Sequence, residues 1–212
     1  MILHSMEVLN QFEKLNIKTI IDYSSKESTP LGRMEWIKFY GVLTNKEEIA
    51  DNIFSEKERE LLSVTQNNDI SEYAKEKLAY FYITNAGAVV IRKNEDYIAK
   101  LIEASGANYA FSGLSEYKGT GTMSIQKESF FDIASDCDYL IYNTTISGPL
   151  SGLDDLVSKY EVLKNTKAYK NGNIYATNQD IYVKSMELPE IAGDFSRIIK
   201  GEEPVKYLYK LK

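Results

Sequence analysis

The 212-residue chain has one cysteine, Cys137, and one histidine, His4. A lone cysteine excludes an internal disulfide, and the two residues together exclude a Cys/His metal cluster. Four prolines and twelve glycines are too few for a low-complexity or disordered chain. No run approaches the roughly 20 apolar residues of a membrane span. The opening MILHSMEVLN lacks the basic start and long apolar core of a signal peptide, so the chain as written carries no export address. Basic charge is also short: 25 Lys and Arg against 31 Asp and Glu give a net charge of −6. With no basic stripe to offset it, that balance repels phosphate backbones and argues against a nucleic-acid partner.

Catalytic signatures are missing as well. Gly119–Thr122 (GTGT) is not followed by the Gly-Lys-Ser/Thr of a phosphate loop. There is no nucleophile elbow, and a single histidine near the N-terminus is a poor catalytic base. The expectation is a protein that is not an enzyme and needs no cofactor. What the chain does have, 43% apolar and 26% charged residues, is ordinary for a globular fold and sufficient to build a core.

Residues 30–54, PLGRMEWIKFYGVLTNKEEIADNIF, show a helical period that breaks and restarts. Trp36, Phe39, Tyr40 and Leu43 carry the first half; Ile49, Ala50, Ile53 and Phe54 carry the second. Thr44 followed by Glu47 reads as a capping box, which starts the second helix at about Asn45 and runs it to about Thr65. Upstream, Met6–Leu15 reads as a helix and Ile17–Tyr23 as a short β-branched strand. Pro30 suits a first helical turn. Downstream of QNNDIS, Ser71 caps a further helical piece, EYAKEKL.

From Ala79 strands and helices alternate. AYFYITN is a strand, GAVVIRKN a loop or short strand, and EDYIAKLIEASG a helix ended by Gly106. ANYAFSG is a short strand and turn, SEYKGTGT a polar loop, and SIQKESFFDIAS a helix with Phe130, Phe131 and Ile133 inward. DYLIYNTT, the most continuous apolar run, is a central strand. A helix within SGPLSGLDDLVSKYEVLKNTKAYKNG, the strand NIYATN, the helix ELPEIAGDFSRIIKG and a tail complete the chain. Cys137 stands at the start of the central strand, where a small core residue is the plain reading and a reactive thiol the alternative. Alternation of this kind implies an α/β lobe with a mostly parallel sheet between helices.

Four blocks in order carry a resemblance: DYSSKESTPLGRMEWIKFYGVLTNKEEIA, YFYITNAGAVVIRKNEDYIAKLIEASGANYAF, SIQKESFFDIASDCDYLIYN and KAYKNGNIYATN. Together they resemble the C-terminal part of the substrate-binding proteins that serve ABC importers for iron-siderophores, haem and cobalamin. The resemblance implies two α/β lobes joined by one backbone helix, with ligand in the cleft between them. Under it, residues 1–43 are a remnant of an N-terminal lobe, 44–78 the backbone-helix region and 79–212 the C-terminal lobe. Trp36, Phe39 and Tyr40 are then the aromatics expected to be least covered. The implied partners are a ferric siderophore, haem or corrinoid and an ABC permease, in an extracytoplasmic setting for the intact protein. One histidine argues against the zinc and manganese branch. An incomplete cleft implies weak ligand binding or none, and leaves a homodimer or scaffold as the alternative role. A metal-cofactor enzyme on a related bilobal fold is the remaining one.

Open α/β sheets bind ligands beyond the C-terminal ends of their strands. The loops there offer Asn85, Arg92, Tyr117, Thr144, Thr145, Asn178 and Tyr182 as ligand-binding candidates. Aromatics beside a guanidinium suit a large, flat, anionic chelate. Each has a bland counterpart: Arg92 as a surface ion pair, Tyr97 as a helix core residue, Tyr117 and Tyr182 as loop caps. By resemblance Glu128 is a transporter-docking residue; by helix electrostatics it is an acid in a first turn, worth about 0.3–1 kcal/mol.

Overall fold

The computed structural model describes residues 6–66 and 76–212. The helices are α1 (Met6–Lys14), α2 (Pro30–Thr44), α3 (Glu47–Gln66), α4 (Tyr97–Ala104), α5 (Lys127–Ala134), α6 (Leu153–Lys159), α7 (Lys167–Lys170) and α8 (Leu188–Ile199). The strands are β1 (Lys77–Ile83), β2 (Val89–Arg92), β3 (Asn108–Tyr109), β4 (Thr122–Ile125), β5 (Tyr139–Tyr142), β6 (Ile174–Thr177) and β7 (Leu208–Lys210). They form one sheet in the order β4-β2-β1-β5-β6-β7, with β3 beside the start of β1.

The fold is α/β, with a parallel centre of β1, β5, β6 and β3. Leu78–Phe81 lie opposite Tyr139–Tyr142, and Leu140–Tyr142 opposite Ile174–Ala176. All four residues of β5 and of β6 are buried, as strands covered on both faces must be. Antiparallel strands extend both flanks: β2 and β4 on one side, β7 on the other. Alternation along β1 divides the core. Phe81 meets Phe130 of α5 at 4.6 Å between ring centres, while Tyr80 meets Phe195 of α8 on the opposite face. Phe130 is fully buried, and Phe131 and Ile133 pack against the core from partly covered positions.

The break between the first two long helices is real, but it is built differently from the expected capping box. The Thr44 hydroxyl donates back to the Tyr40 carbonyl at 2.8 Å and so caps nothing downstream. Asn45 takes left-handed backbone angles (φ 53°, ψ 46°), and its N–H closes onto the carbonyls of Gly41 and Val42. Asparagine tolerates that conformation better than most residues, so it ends α2. Consequently α3 begins at Glu47, two residues later than the expected start. At its other end α2 is capped as its sequence suggests: Thr29 Oγ1 accepts the Gly32 N–H at 3.0 Å, and Pro30 opens the helix. Where α2 crosses α3 a Cβ on Gly41 would lie 2.6 Å from the Ala50 Cβ, so the contact requires glycine.

Three other expectations are corrected. Ile17–Tyr23 forms no strand; Ile17 and Ile20 are 44% and 46% exposed, and no described strand pairs with them. Thr122–Ile125 is β4 and not polar loop running into helix, and Leu208–Lys210 of the tail is β7. Both are short flanking strands whose pairing comes from neighbours distant in sequence. The cap placed at Ser71 lies outside the described residues, while Lys77 and Leu78 of the helical piece expected there belong to β1.

Buried Asp194 of α8 holds the last flank. Its Oδ1 accepts the Val205 N–H at 2.7 Å, and its Oδ2 accepts those of Lys206, Tyr207 and Leu208 at 3.0, 2.6 and 3.1 Å. Of the aromatics expected to be uncovered, Phe39 and Tyr40 are 39% and 40% exposed. Trp36 is half-buried and donates through Nε1 to Glu27 at 2.9 Å.

Candidate functional site

Arg33, Trp36, Ile37 and Tyr40 recur at three- and four-residue steps and so share one side of α2. That side faces the loop after β6, residues 182–187, across a cleft of about 520 Å³. Asp22 and Ser24, which precede α2, complete the same wall. The cleft's dimensions fall in the range of small-molecule sites.

Its charges are unequally engaged. Asp22 accepts the Ser24 N–H at 2.6 Å and the Tyr40 hydroxyl. Burial opposes the Asp22 charge, but these bonds and nearby Arg33 outweigh it and hold the carboxyl below its ordinary range. Burial, with Asp22 as acceptor, pushes the Tyr40 phenol up to about 12. Glu187 accepts from Lys206 and Tyr207, and Lys184 lies between Asp180 and Glu187 at 3.5 and 3.9 Å. Arg33 donates to two carbonyls, Ser24 at 3.4 Å and Tyr182 at 3.2 Å, and its guanidinium lies 4.4 Å from the centre of the Tyr97 ring.

Tyr182 lines the cleft and connects it to a second polar layer behind. Its hydroxyl meets that of Tyr80 at 2.6 Å, and the Arg92 guanidinium lies 4.6 Å from its ring centre. Arg92 reaches Asp96 at 3.4 Å, and its carbonyl accepts the Tyr109 hydroxyl at 2.6 Å. Asp96 also caps α4 by accepting the Ile98 N–H and accepts that of Gly121, each at 3.0 Å. Burial raises the phenols of Tyr80, Tyr97 and Tyr182 above their ordinary value. It works against the Arg92 charge, yet the surrounding tyrosines and Asp96 hold that guanidinium protonated.

The residues expected from the strand ends do not all converge. Tyr182 lines the cleft, and Arg92 stands directly behind it. Thr144 and Thr177 clip β5 to β6, the Thr144 hydroxyl donating to the Thr177 carbonyl at 2.7 Å. Thr145 donates its N–H and hydroxyl to Asn143. Asn178 accepts the Asp180 N–H and donates to the Lys206 carbonyl. Asn85 is exposed in the tight turn between β1 and β2. The Tyr117 ring packs edge-on against Phe111 inside the lobe, away from the cleft lining. Glu128 is exposed in the first turn of α5. Tyr97 is buried, with its ring under Arg33.

Arg33 and Asp22 were not among the expected residues. The three- and four-residue spacing from Arg33 to Tyr40 could have flagged Arg33, had the aromatic positions of α2 been read as a wall and not only as an uncovered surface; Asp22, outside the helix, gave no such signal. Cys137 is buried, bonds the Ile133 carbonyl, and has its thiol pushed up to about 12 by burial, which leaves it inert at neutral pH. Among the described residues no group of three His, Cys, Asp or Glu could hold a metal ion, and no helix is long and apolar enough to cross a membrane.

A family model described as periplasmic binding protein matches residues 5–181. An uncharacterized lipoprotein of Methanocaldococcus jannaschii is 28% identical over 198 residues, covering 92% of this chain and 45% of its own. Another uncharacterized protein of that organism is 28% identical over 225 residues, covering 96% and 63%. The chain thus spans about half the length of the curated relatives it matches. A periplasmic haem-binding protein from Pseudomonas aeruginosa superposes with a TM-score of 0.76 at 14% identity, covering 99% of this chain and 74% of that one. The periplasmic catecholate-siderophore binding protein of Vibrio cholerae gives 0.65 at 14% identity, covering 92% and 70%. At such identities the likeness is one of fold.

Proposed function

Because the chain belongs to the periplasmic binding protein family, we propose that it is the substrate-binding part of an ABC importer for a ferric siderophore, haem or corrinoid. It delivers that ligand without chemical change. The observation that carries this reading is the cleft between α2 and residues 182–187, in a fold shared with proteins that bind haem and catecholate siderophores. Tyr182 offers ring area to a flat chelate, and Arg92 behind it fixes the ring. Thr144, Thr145 and Asn178 order the strand ends that lead into the loop bearing Tyr182, while Asn85 and Tyr117 stand outside the cleft lining. Asp22, Ser24 and α2 supply the N-terminal side of the cleft, α3 is the backbone helix and residues 79–212 are the C-terminal lobe. Exposed Glu128 meets the permease. The working location is extracytoplasmic, in a periplasm or as a surface lipoprotein.

Trp36 is the sole tryptophan and lines the cleft, so its fluorescence reports occupancy. Titration with haemin, a ferric tricatecholate, a neutral ferric trihydroxamate and cobalamin should give weak, saturable quenching with at least one of them. Binding is weak because a cleft of about 520 Å³ encloses only part of a ligand of that size. Silence with all four overturns the reading. A second role, self-association, is favoured by exposed Phe39, Val42, Leu43 and Ile49. Sedimentation at several concentrations separates a dimer from a monomer.

A further inference from the structure

Resting on that reading, we propose that Arg33 is the specificity-determining residue of the cleft, receiving an oxyanion carried by the ligand. The bound class is then a chelate with peripheral carboxylate or phenolate oxygens, in preference to a neutral one.

Four charged side chains line the cleft: Asp22, Arg33, Lys184 and Glu187. Asp22 is closed off by the Ser24 N–H and the Tyr40 hydroxyl. Glu187 is closed off by Lys206 and Tyr207, and Lys184 sits between two carboxylates. Arg33 differs from all three. A guanidinium carries five N–H donors, and here two bonds go to neutral carbonyls at 3.2 and 3.4 Å; its charge is felt by nearby Asp22, but among the described residues Arg33 makes no ion pair. Arg92, by contrast, already has Asp96 and is covered by Tyr182. The Tyr97 ring beneath Arg33 holds the guanidinium plane without using its donors. The result is a braced cation at a cleft wall with N–H donors left over for a carboxylate or phenolate oxygen.

The experiment compares wild type, Arg33→Gln and Arg33→Lys in Trp36 fluorescence titrations. The probes are haemin, with carboxylates, a ferric tricatecholate, with phenolates, and a neutral ferric trihydroxamate. Circular dichroism melts establish that each variant is folded, and wild-type titrations at low and high salt give a readout independent of any variant. We expect Arg33→Gln to weaken the anionic probe that wild type binds by about ten- to a hundredfold, the scale of a charged hydrogen bond. Arg33→Lys should recover only part of that loss, and wild-type affinity should fall with salt. Whether haemin or the catecholate responds tells carboxylate from phenolate. Equal wild-type affinity for neutral and anionic probes, unaffected by salt or by Arg33→Gln, overturns the inference and leaves the binding reading standing. No response to any probe overturns both.

Discussion

One carboxylate in the middle of α8 organises four backbone amides. Asp194 is 2% exposed and accepts from every residue between Val205 and Leu208, which fixes the chain as it enters β7. Buried N–H groups that lose a charged acceptor are left without a partner, at a cost of about 1–3 kcal/mol and more for charged groups. Asp194→Asn should therefore lower unfolding stability by about 3 kcal/mol in urea denaturation. A change within about 0.5 kcal/mol, ordinary for a surface site, would count against this assignment. Nothing local in GDFSRII distinguishes this aspartate from a solvated one, because its partners are 11 to 14 positions away. Arg92 and Tyr182 could be placed near strand ends from the sequence, because one closes and the other follows an apolar run that reads as a strand. Arg33 was not legible, since a basic residue on a helix reads by default as solvated.

Elements were most legible where their own residues decide the conformation. The break in residues 30–54 was visible from periodicity, and its chemistry was misassigned because Thr44 bonds backward while Asn45 turns the chain. The flanking strands β4 and β7 were not legible, since four and three residues are too few to show a period. Ile17–Tyr23 has strand composition and no described neighbour to pair with, so composition there did not decide structure. The α2–α3 crossing yields a direct test. Gly41→Ala brings helix propensity of less than about 1 kcal/mol, against overpacking of about 1–3 kcal/mol where the new Cβ meets Ala50. A lower Tm is expected in a calorimetric melt, and an unchanged or higher one would mean that the two helices separate easily.

For the whole molecule, strand and helix alternation from Ala79 onward was enough to indicate an α/β sheet covered on both faces. The cleft was not visible in that way. Arg33 and Tyr182 stand 149 residues apart, and only the completed fold sets them face to face. The phenols gathered between them make a prediction about pH. Tyr40 is held up to about 12 against an ordinary 10.0, and Tyr80, Tyr97 and Tyr182 are likewise raised. Between those values the folded chain keeps protons that the unfolded chain releases. Stability is therefore complete below about pH 10 and declines as pH rises through the folded values. Phenolate absorbance and far-ultraviolet circular dichroism, followed together on raising pH, should show this tyrosine group ionising along with loss of structure. Full ionisation with the helices intact would argue that these phenols are open to solvent.

The glycine crossing of α2 and α3 divides labour within the cleft. With Gly41 seated against Ala50, the wall bearing Arg33 and Trp36 is bolted to the longest described helix and cannot yield to a new ligand. The opposite wall is loop, and loops accept substitution more readily than packed helices. Substitutions at residues 183–186 are thus the way to reshape the cleft around Arg33, with Tyr182 and Glu187 kept for their bonds to Tyr80, Lys206 and Tyr207.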